Sequence, residues 1–136
     1  MIEYILIILF VLSFLSVVAI NLYSSYIFRR NEYKYNKLLS DYRRRDLDLD
    51  MITNHAAFFG ALLNYQKIIW FVRLYKGVKM KFTKDRYVQE EAYQFVQSLP
   101  EERIGWLLKV HQLYKVQFYL TALWILAGAL IIWLYK

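Results

Sequence analysis

The chain has 136 residues, about one domain's worth, but 59% of them are hydrophobic, 19% are aromatic and the mean hydropathy is +0.24. This composition excludes an ordinary soluble domain and indicates an integral membrane protein. The net charge of +7 would suit nucleic acid, but basic residues in a membrane protein set its orientation and contact anionic lipid, so no nucleic-acid partner is expected. The absence of cysteine excludes disulfides, thiolate metal sites and thiol nucleophiles.

The first apolar segment, residues 2–28, has an uncharged core at 4–20 and predicts transmembrane helix 1. A cleaved signal peptide is the alternative for this segment. It needs a basic beginning, a shorter apolar core and a small-residue cleavage site, whereas the only charge before this core is Glu3. We therefore predict a span that is retained.

A basic juxtamembrane connector follows at residues 29–50, where three arginines at 43–45 precede Asp46, Asp48 and Asp50. This charge reversal fits a metal site, a phosphate site or a solvated helix end. The aspartates alternate as at the start of a calcium loop, but the glycine and the distal glutamate of such a loop are absent. We favour a polar connector with local ion pairs and predict no metal.

Residues 51–115 are predicted to form a cytoplasmic or interfacial helical region. Its apolar stretch 56–75 is predicted to be a helix that lies at the cytoplasmic membrane interface or packs against the extramembrane half of the last helix; the alternative is a third span. A third span would place Lys67 near the bilayer centre, at a cost of about 2.5–3.5 kcal/mol, so we do not favour it. Residues 76–84 then alternate basic and apolar side chains, which predicts a strand or a loop with apolar tips between lipid contacts, and 85–99 has the apolar face of a helix.

The last helix is predicted to be one long rod, with Ser98 as its N-cap, Pro100 in its first turn and Glu101 closing a capping box. Residues 116–135 of this rod lack charge and form transmembrane helix 2. The predicted fold class is an all-α membrane protein with N- and C-terminal transmembrane helices flanking a small helical cytoplasmic region.

The basic residues also predict the orientation of the chain. Of the 18 lysines and arginines, only Lys136 lies outside the segment between the two spans. The positive-inside rule then places the central region in the cytoplasm and both termini outside, in what we expect to be a bacterial cytoplasmic (inner) membrane.

Two sets of candidate site residues follow from these assignments. The side chains expected to bind anionic lipid headgroups are Arg29, Arg30, Lys34, Lys37, Arg43, Arg44, Arg45, Lys67, Arg73, Lys76, Lys79, Lys81 and Lys84. Small and hydroxylated residues expected to pack against another helix are Ser13, Ser16, Ser24, Thr121, Ala122, Gly128 and Ala129.

No catalytic constellation or cofactor site is predicted, so we expect a non-enzymatic accessory, assembly or regulatory subunit. Its partners would be anionic lipids and other membrane-protein subunits or further copies of itself. One alternative is a self-assembling scaffold or pore lined by Ser13, Ser16, Asn21, Gln117 or Thr121. Another is a haem or redox subunit with His55 and His111 as ligands, although His111 is expected on a solvated stretch.

Two segments carry a family resemblance: residues 64–72 (NYQKIIWFV), followed by Tyr75, and residues 116–123 (VQFYLTAL). With the overall plan of two terminal spans and a basic loop, they resemble the universal stress protein B family of small bacterial membrane proteins. The resemblance implies a cytoplasmic-membrane protein linked to stationary phase or membrane stress, and it carries over no catalytic residue.

Overall fold

The computed structural model describes residues 1–49, 53 and 64–136, and over this part of the chain the fold is mainly helical. The elements are α1 (Ile2–Arg30), α2 (Glu32–Arg44), α3 (Asn64–Lys76), β1 (Lys81–Thr83), β2 (Arg86–Tyr87), α4 (Glu90–Gln97) and α5 (Glu101–Leu134). They divide into two compact units: unit 1 comprises residues 1–26 and 112–136, and unit 2 comprises residues 27–111.

Helices α1 and α5 are each long and apolar enough to cross a membrane. Their 29 and 34 residues correspond to lengths of about 43 and 51 Å at 1.5 Å per residue, compared with a hydrocarbon core of about 30 Å. The prediction of two long apolar helices at the N- and C-terminal ends is confirmed.

Within unit 1, aromatic rings fill the contact between the two helical segments. The ring of Phe10 stacks on that of Trp124 at 5.5 Å between centroids, and Phe14 lies 5.7 Å from the same indole. Gly128 allows this approach, because a Cβ atom there would lie only 3.1 Å from Cε2 of Phe10. Apart from this contact, most large apolar side chains of unit 1 are exposed.

The core of unit 2 is an aromatic cluster with aliphatic side chains around it. Helix α2 buries Tyr35, Leu38, Leu39 and Tyr42, a spacing that puts all four on one face. Ring contacts between 5.4 and 6.1 Å link Phe28, Tyr35, Phe71, Tyr42 and Phe95 in that order, and Phe28 also contacts Trp106. Ile68 and Leu74 of α3 and Leu107 of α5 are fully buried in the same unit.

Polar groups mark the ends of α2. At its start, Asn31 separates α1 from α2, and its side-chain Nδ2 donates to the carbonyl of Ile27 at 2.8 Å. At its end, Asp46 adopts the left-handed conformation with φ 55°, which aspartate tolerates better than most residues. The predicted polar connector after the first span therefore contains a separate 13-residue helix.

The stretch 56–75 is only partly within the described residues. Its described part belongs to α3, which is buried in unit 2 through Ile68, Phe71, Val72 and Leu74. Two candidate spans, α1 and α5, are found among the described residues. Residues 56–63 lie outside them, so the choice between an interfacial helix and a third span stays open for that part.

Two local predictions are wrong. The predicted helix 85–99 begins only at Glu90, because Arg86 and Tyr87 pair with β1 in an antiparallel hairpin. Ser98 does not cap α5; its hydroxyl donates to the carbonyl of Phe95 at 2.7 Å, at the end of α4. The first bonds of α5 instead run from the amides of Arg103 and Ile104 to the carbonyl of Pro100.

Candidate functional site

The predicted lipid-binding residues all lie in unit 2, and most of them are exposed. Sixteen of the 18 lysines and arginines and ten of the 11 acidic residues fall between positions 27 and 111, a surplus of six positive charges. Eleven of the thirteen candidates are exposed, Lys34 is half-buried, and Lys67 is buried. Unit 2 therefore presents a basic surface, while unit 1 presents an apolar one.

Two aspartates of unit 2 are committed to ion pairs inside the fold. A carboxylate oxygen of Asp41 lies 2.8 Å from the guanidinium of Arg103 and the other lies 3.9 Å from that of Arg44. Asp48 is 9% exposed and accepts two bonds from Arg86, at 3.0 and 3.1 Å. The charge reversal of the connector thus includes contacts between residues far apart in sequence as well as local pairs.

Asp48 ties the hairpin and α4 to the connector. Its carboxylate also accepts the backbone N–H of Gln89 at 3.0 Å, and its own N–H donates to the side-chain oxygen of Gln89 at 3.1 Å. The hydroxyl of Tyr42 donates to the Asp48 carbonyl. Since both carboxylate oxygens are engaged with Arg86, this aspartate holds the fold together at the point where the hairpin meets α4.

The β1–β2 hairpin carries basic and aromatic side chains together. Lys81 and Tyr87 are opposite each other across the strand pair, and residues so placed project from the same side. The Nζ atoms of Lys79 and Lys81 lie 4.7 and 5.6 Å from the centroid of the Tyr87 ring. Val78 is 45% exposed and Tyr87 is 50% exposed. The predicted strand or loop with apolar and basic side chains is thus a short hairpin.

Lys67 occupies a different environment from the other basic candidates. It is 5% exposed, and its Nζ lies 5.3 Å from the ring centroid of Phe28 and 5.8 Å from that of Tyr35. Burial lowers the pKa of this ammonium group, and the nearby carboxylate of Glu32 raises it in part. The side chain of Lys67 therefore points into the core of unit 2 rather than toward an outer surface.

The predicted helix-packing residues fall into two groups. Ser13 is buried and Gly128 lies against Phe10, so these residues serve the contact within unit 1. Ala122 and Ala129 are exposed. Ser16 and Thr121 are half-buried, and Ser24 is fully buried.

The hydroxyls of Ser13 and Thr121 form hydrogen bonds within their own helices. The hydroxyl of Ser13 donates to the carbonyl of Leu9 at 2.6 Å, and that of Thr121 to the carbonyl of Gln117 at 2.8 Å. These hydroxyls are therefore engaged in the way that polar side chains satisfy themselves in apolar surroundings.

Comparison of the chain with known proteins identifies no relative. No family model, no curated protein and no solved structure matches the chain. The resemblance to the universal stress protein B family therefore stays a prediction from residues 64–72 and 116–123.

Of the two candidate haem ligands, only His111 is among the residues that the structure describes. His111 is 7% exposed, so the prediction that it lies on a solvated stretch is wrong. It follows Ile104 and Leu107 at helical spacing on the buried face of α5. His55 lies outside the described residues.

Four residues of unit 2 that organise the basic surface were not among the sequence candidates: Asp48, Arg86, Tyr87 and Tyr93. The hydroxyl of Tyr93 donates to the carbonyl of Val78 at 2.7 Å and accepts the N–H of Met80 at 3.1 Å. The sequence signal for the hairpin was the alternation of lysine or polar residues with Val78, Met80 and Phe82 over residues 76–84.

Proposed function

We propose that this chain is a non-enzymatic integral membrane protein that acts as an accessory, assembly or regulatory subunit. Unit 1 would anchor it, and unit 2 would contact anionic lipid headgroups and a protein partner at the cytoplasmic face of a bacterial inner membrane. The observation that carries the proposal is the separation of the two surfaces: exposed large apolar side chains along α1 and α5, and sixteen basic residues in unit 2.

The apolar surface of unit 1 is far larger than its internal contact. Ile2, Leu12 and Leu22 of α1 and Phe118 and Ile132 of α5 are each more than half exposed. In water such a surface would be a severe aggregation hazard, whereas lipid tails or neighbouring helices cover it at no cost. A lipid environment for unit 1 follows from this physical argument.

Small exposed residues on α5 favour a helix–helix contact with another subunit. Ala122 and Ala129 are seven residues apart and exposed, so they lie close to one line along the helix. Small residues let a second helix approach closely. Because Gly128 and Ser13 are already used within unit 1, Ala122 and Ala129 are the predicted packing residues that remain for a partner.

The experiment that tests this function is purification of the full chain in mild detergent, with particle mass from light scattering and all co-purifying chains identified by mass spectrometry. We expect a stoichiometric second subunit, lost when Ala129 is replaced by leucine. The matched control is Ala19→Leu, the same change at an exposed position of α1. A particle of one 16.6 kDa chain without a partner would contradict the subunit role, and a ring of identical copies would favour a scaffold or pore.

A further inference from the structure

We propose that the hairpin presents a binding site for the phosphate of an anionic phospholipid headgroup, formed by Lys79, Lys81 and Tyr87. These three residues are called the hairpin face below. The inference rests on the proposed membrane function and deepens it, because it assigns the lipid contact to one built element rather than to the basic surface as a whole.

Two cations converge on one ring at the hairpin face. The Nζ atoms of Lys79 and Lys81 lie 4.7 and 5.6 Å from the centroid of the same Tyr87 ring. All three side chains are exposed, and no ion pair to either lysine is found among residues 1–49, 53 and 64–136. Both ammonium groups lie near the same ring, so a phosphate bound beside that ring would be attracted by two positive charges and could accept a hydrogen bond from each lysine.

The fold holds the hairpin face in place. Arg86 stacks on Phe82 at 4.8 Å and is bound through both nitrogens by Asp48, which removes its charge from competition for an anion. The Tyr93 hydroxyl holds the segment that leads into β1 through its two bonds to Val78 and Met80. A site assembled before binding loses less conformational entropy when its ligand arrives.

The surroundings favour a lipid headgroup over a soluble anion. Tyr87 is 50% exposed, and Val78, which precedes Lys79 in the chain, is 45% exposed. Tyrosine is enriched at the headgroup level of membranes, where its ring meets the acyl boundary and its hydroxyl meets water. A free phosphate would leave both apolar surfaces in water, whereas a lipid surface covers them while its phosphate binds the lysines.

The test uses the full chain, which contains no cysteine, with a single Thr83→Cys substitution labelled by an environment-sensitive fluorophore. Thr83 is exposed at the end of β1. The protein is placed in nanodiscs of phosphatidylcholine alone or mixed with phosphatidylglycerol. We expect a blue shift and quenching by spin-labelled lipid only in the mixed discs.

Substitutions then assign the effect to the hairpin face. Lys79→Gln and Lys81→Gln should each lower the ratio of inserted to free probe about fivefold, as expected for about 1 kcal/mol per basic side chain. Tyr87→Phe should retain the insertion and Tyr87→Ser should lose it. Lys109→Gln, which removes the same charge from an exposed position of α5, is the matched control and should leave the ratio unchanged.

Each other outcome overturns a different statement. If the protein enters the nanodiscs but the probe ignores phosphatidylglycerol, or if a probe at exposed Gln94 of α4 responds equally, the hairpin face is not the lipid site. Inorganic phosphate should compete with the headgroup and reduce the blue shift more than chloride does at equal ionic strength. If inorganic phosphate produces the full blue shift in neutral discs, the ligand is free phosphate. A shift caused by an acidic peptide in neutral discs would favour a protein partner. Failure to enter the nanodiscs at all would instead refute the membrane function.

Discussion

Replacing Lys67 by methionine should stabilise unit 2 and remove part of the pH dependence of its free energy of unfolding. Lys67 is 5% exposed, and the contacts to its Nζ that the described residues provide are the rings of Phe28 and Tyr35, at 5.3 and 5.8 Å. Methionine keeps the length and flexibility of the side chain without its charge, so the surrounding rings stay packed.

The magnitude follows from two opposing terms. Each ring contributes about 0.5–2 kcal/mol to holding a desolvated cation, whereas burial of an ammonium group costs several kcal/mol even after the protein relaxes. Glu32 offsets part of this cost, since it raises the pKa that burial lowers. We therefore expect Lys67→Met to increase the free energy of unfolding at neutral pH by about 1–3 kcal/mol.

The pH dependence has a definite sign. The folded-state pKa of Lys67 is lowered from its ordinary value of 10.5, so between the two values the unfolded chain binds more protons than the folded one. The free energy of unfolding of the wild type should therefore rise with pH through that window and level off near 10.5. Below the window the cost of the buried charge is fully present. Lys67→Met should lack this rise.

The assay is urea unfolding of the full chain in mild detergent, followed by tryptophan emission at a series of pH values from neutral to alkaline. Subtracting the variant's curve from the wild-type curve isolates the contribution of Lys67 to the pH dependence. Lys37→Met, the same change at an exposed position of α2, is the control and should have little effect. Destabilisation by Lys67→Met, with the alkaline rise unchanged, would refute this reasoning.

Three further substitutions test contacts inside the units, two of them in unit 2 and one in unit 1. Asp48→Asn should weaken the bond to Arg86 and destabilise unit 2 by about 1–3 kcal/mol, with faster hydrogen exchange at the hairpin amides; unchanged exchange would contradict the role of Asp48. Tyr93→Phe should accelerate hydrogen exchange at the same hairpin amides and leave hydrogen exchange in the rest of unit 2 unchanged. Gly128→Leu should force Phe10 aside and destabilise unit 1 by about 1–3 kcal/mol in detergent unfolding. A second change, Phe10→Ala, should recover part of that loss, and simple additivity would argue against the contact.

The long helices were predictable because their signal is local and strong. Uncharged runs of about 20 residues have few structural alternatives, and the residues between Glu101 and Leu134 contain no proline to interrupt the helix. The contact between Phe10 and Trp124 was not predictable, because apolar residues in such a run look alike until the partner helix is placed.

The details of unit 2 depend on contacts between distant residues, which the sequence alone does not order. Arg86 pairs with β1 in the hairpin and also binds Asp48, 38 residues upstream. Lys67 lies near the rings of Phe28 and Tyr35, and both of these rings come from a distant part of the chain. The burial of His111 could have been predicted from its helical spacing to Ile104 and Leu107. The solvated position was predicted from its polar neighbours alone.

The most direct test of the central claim is the accessibility of single cysteines to a membrane-impermeant maleimide in bacterial cells expressing the full chain. Ser40→Cys, exposed in unit 2, and Lys136→Cys, at the end of unit 1, are each examined in intact cells and in inverted vesicles. We predict that Ser40→Cys reacts only in inverted vesicles and Lys136→Cys only in intact cells. Labelling of both from the same side, or recovery of the chain in the soluble fraction, would contradict a protein anchored by two spans with its basic unit in the cytoplasm.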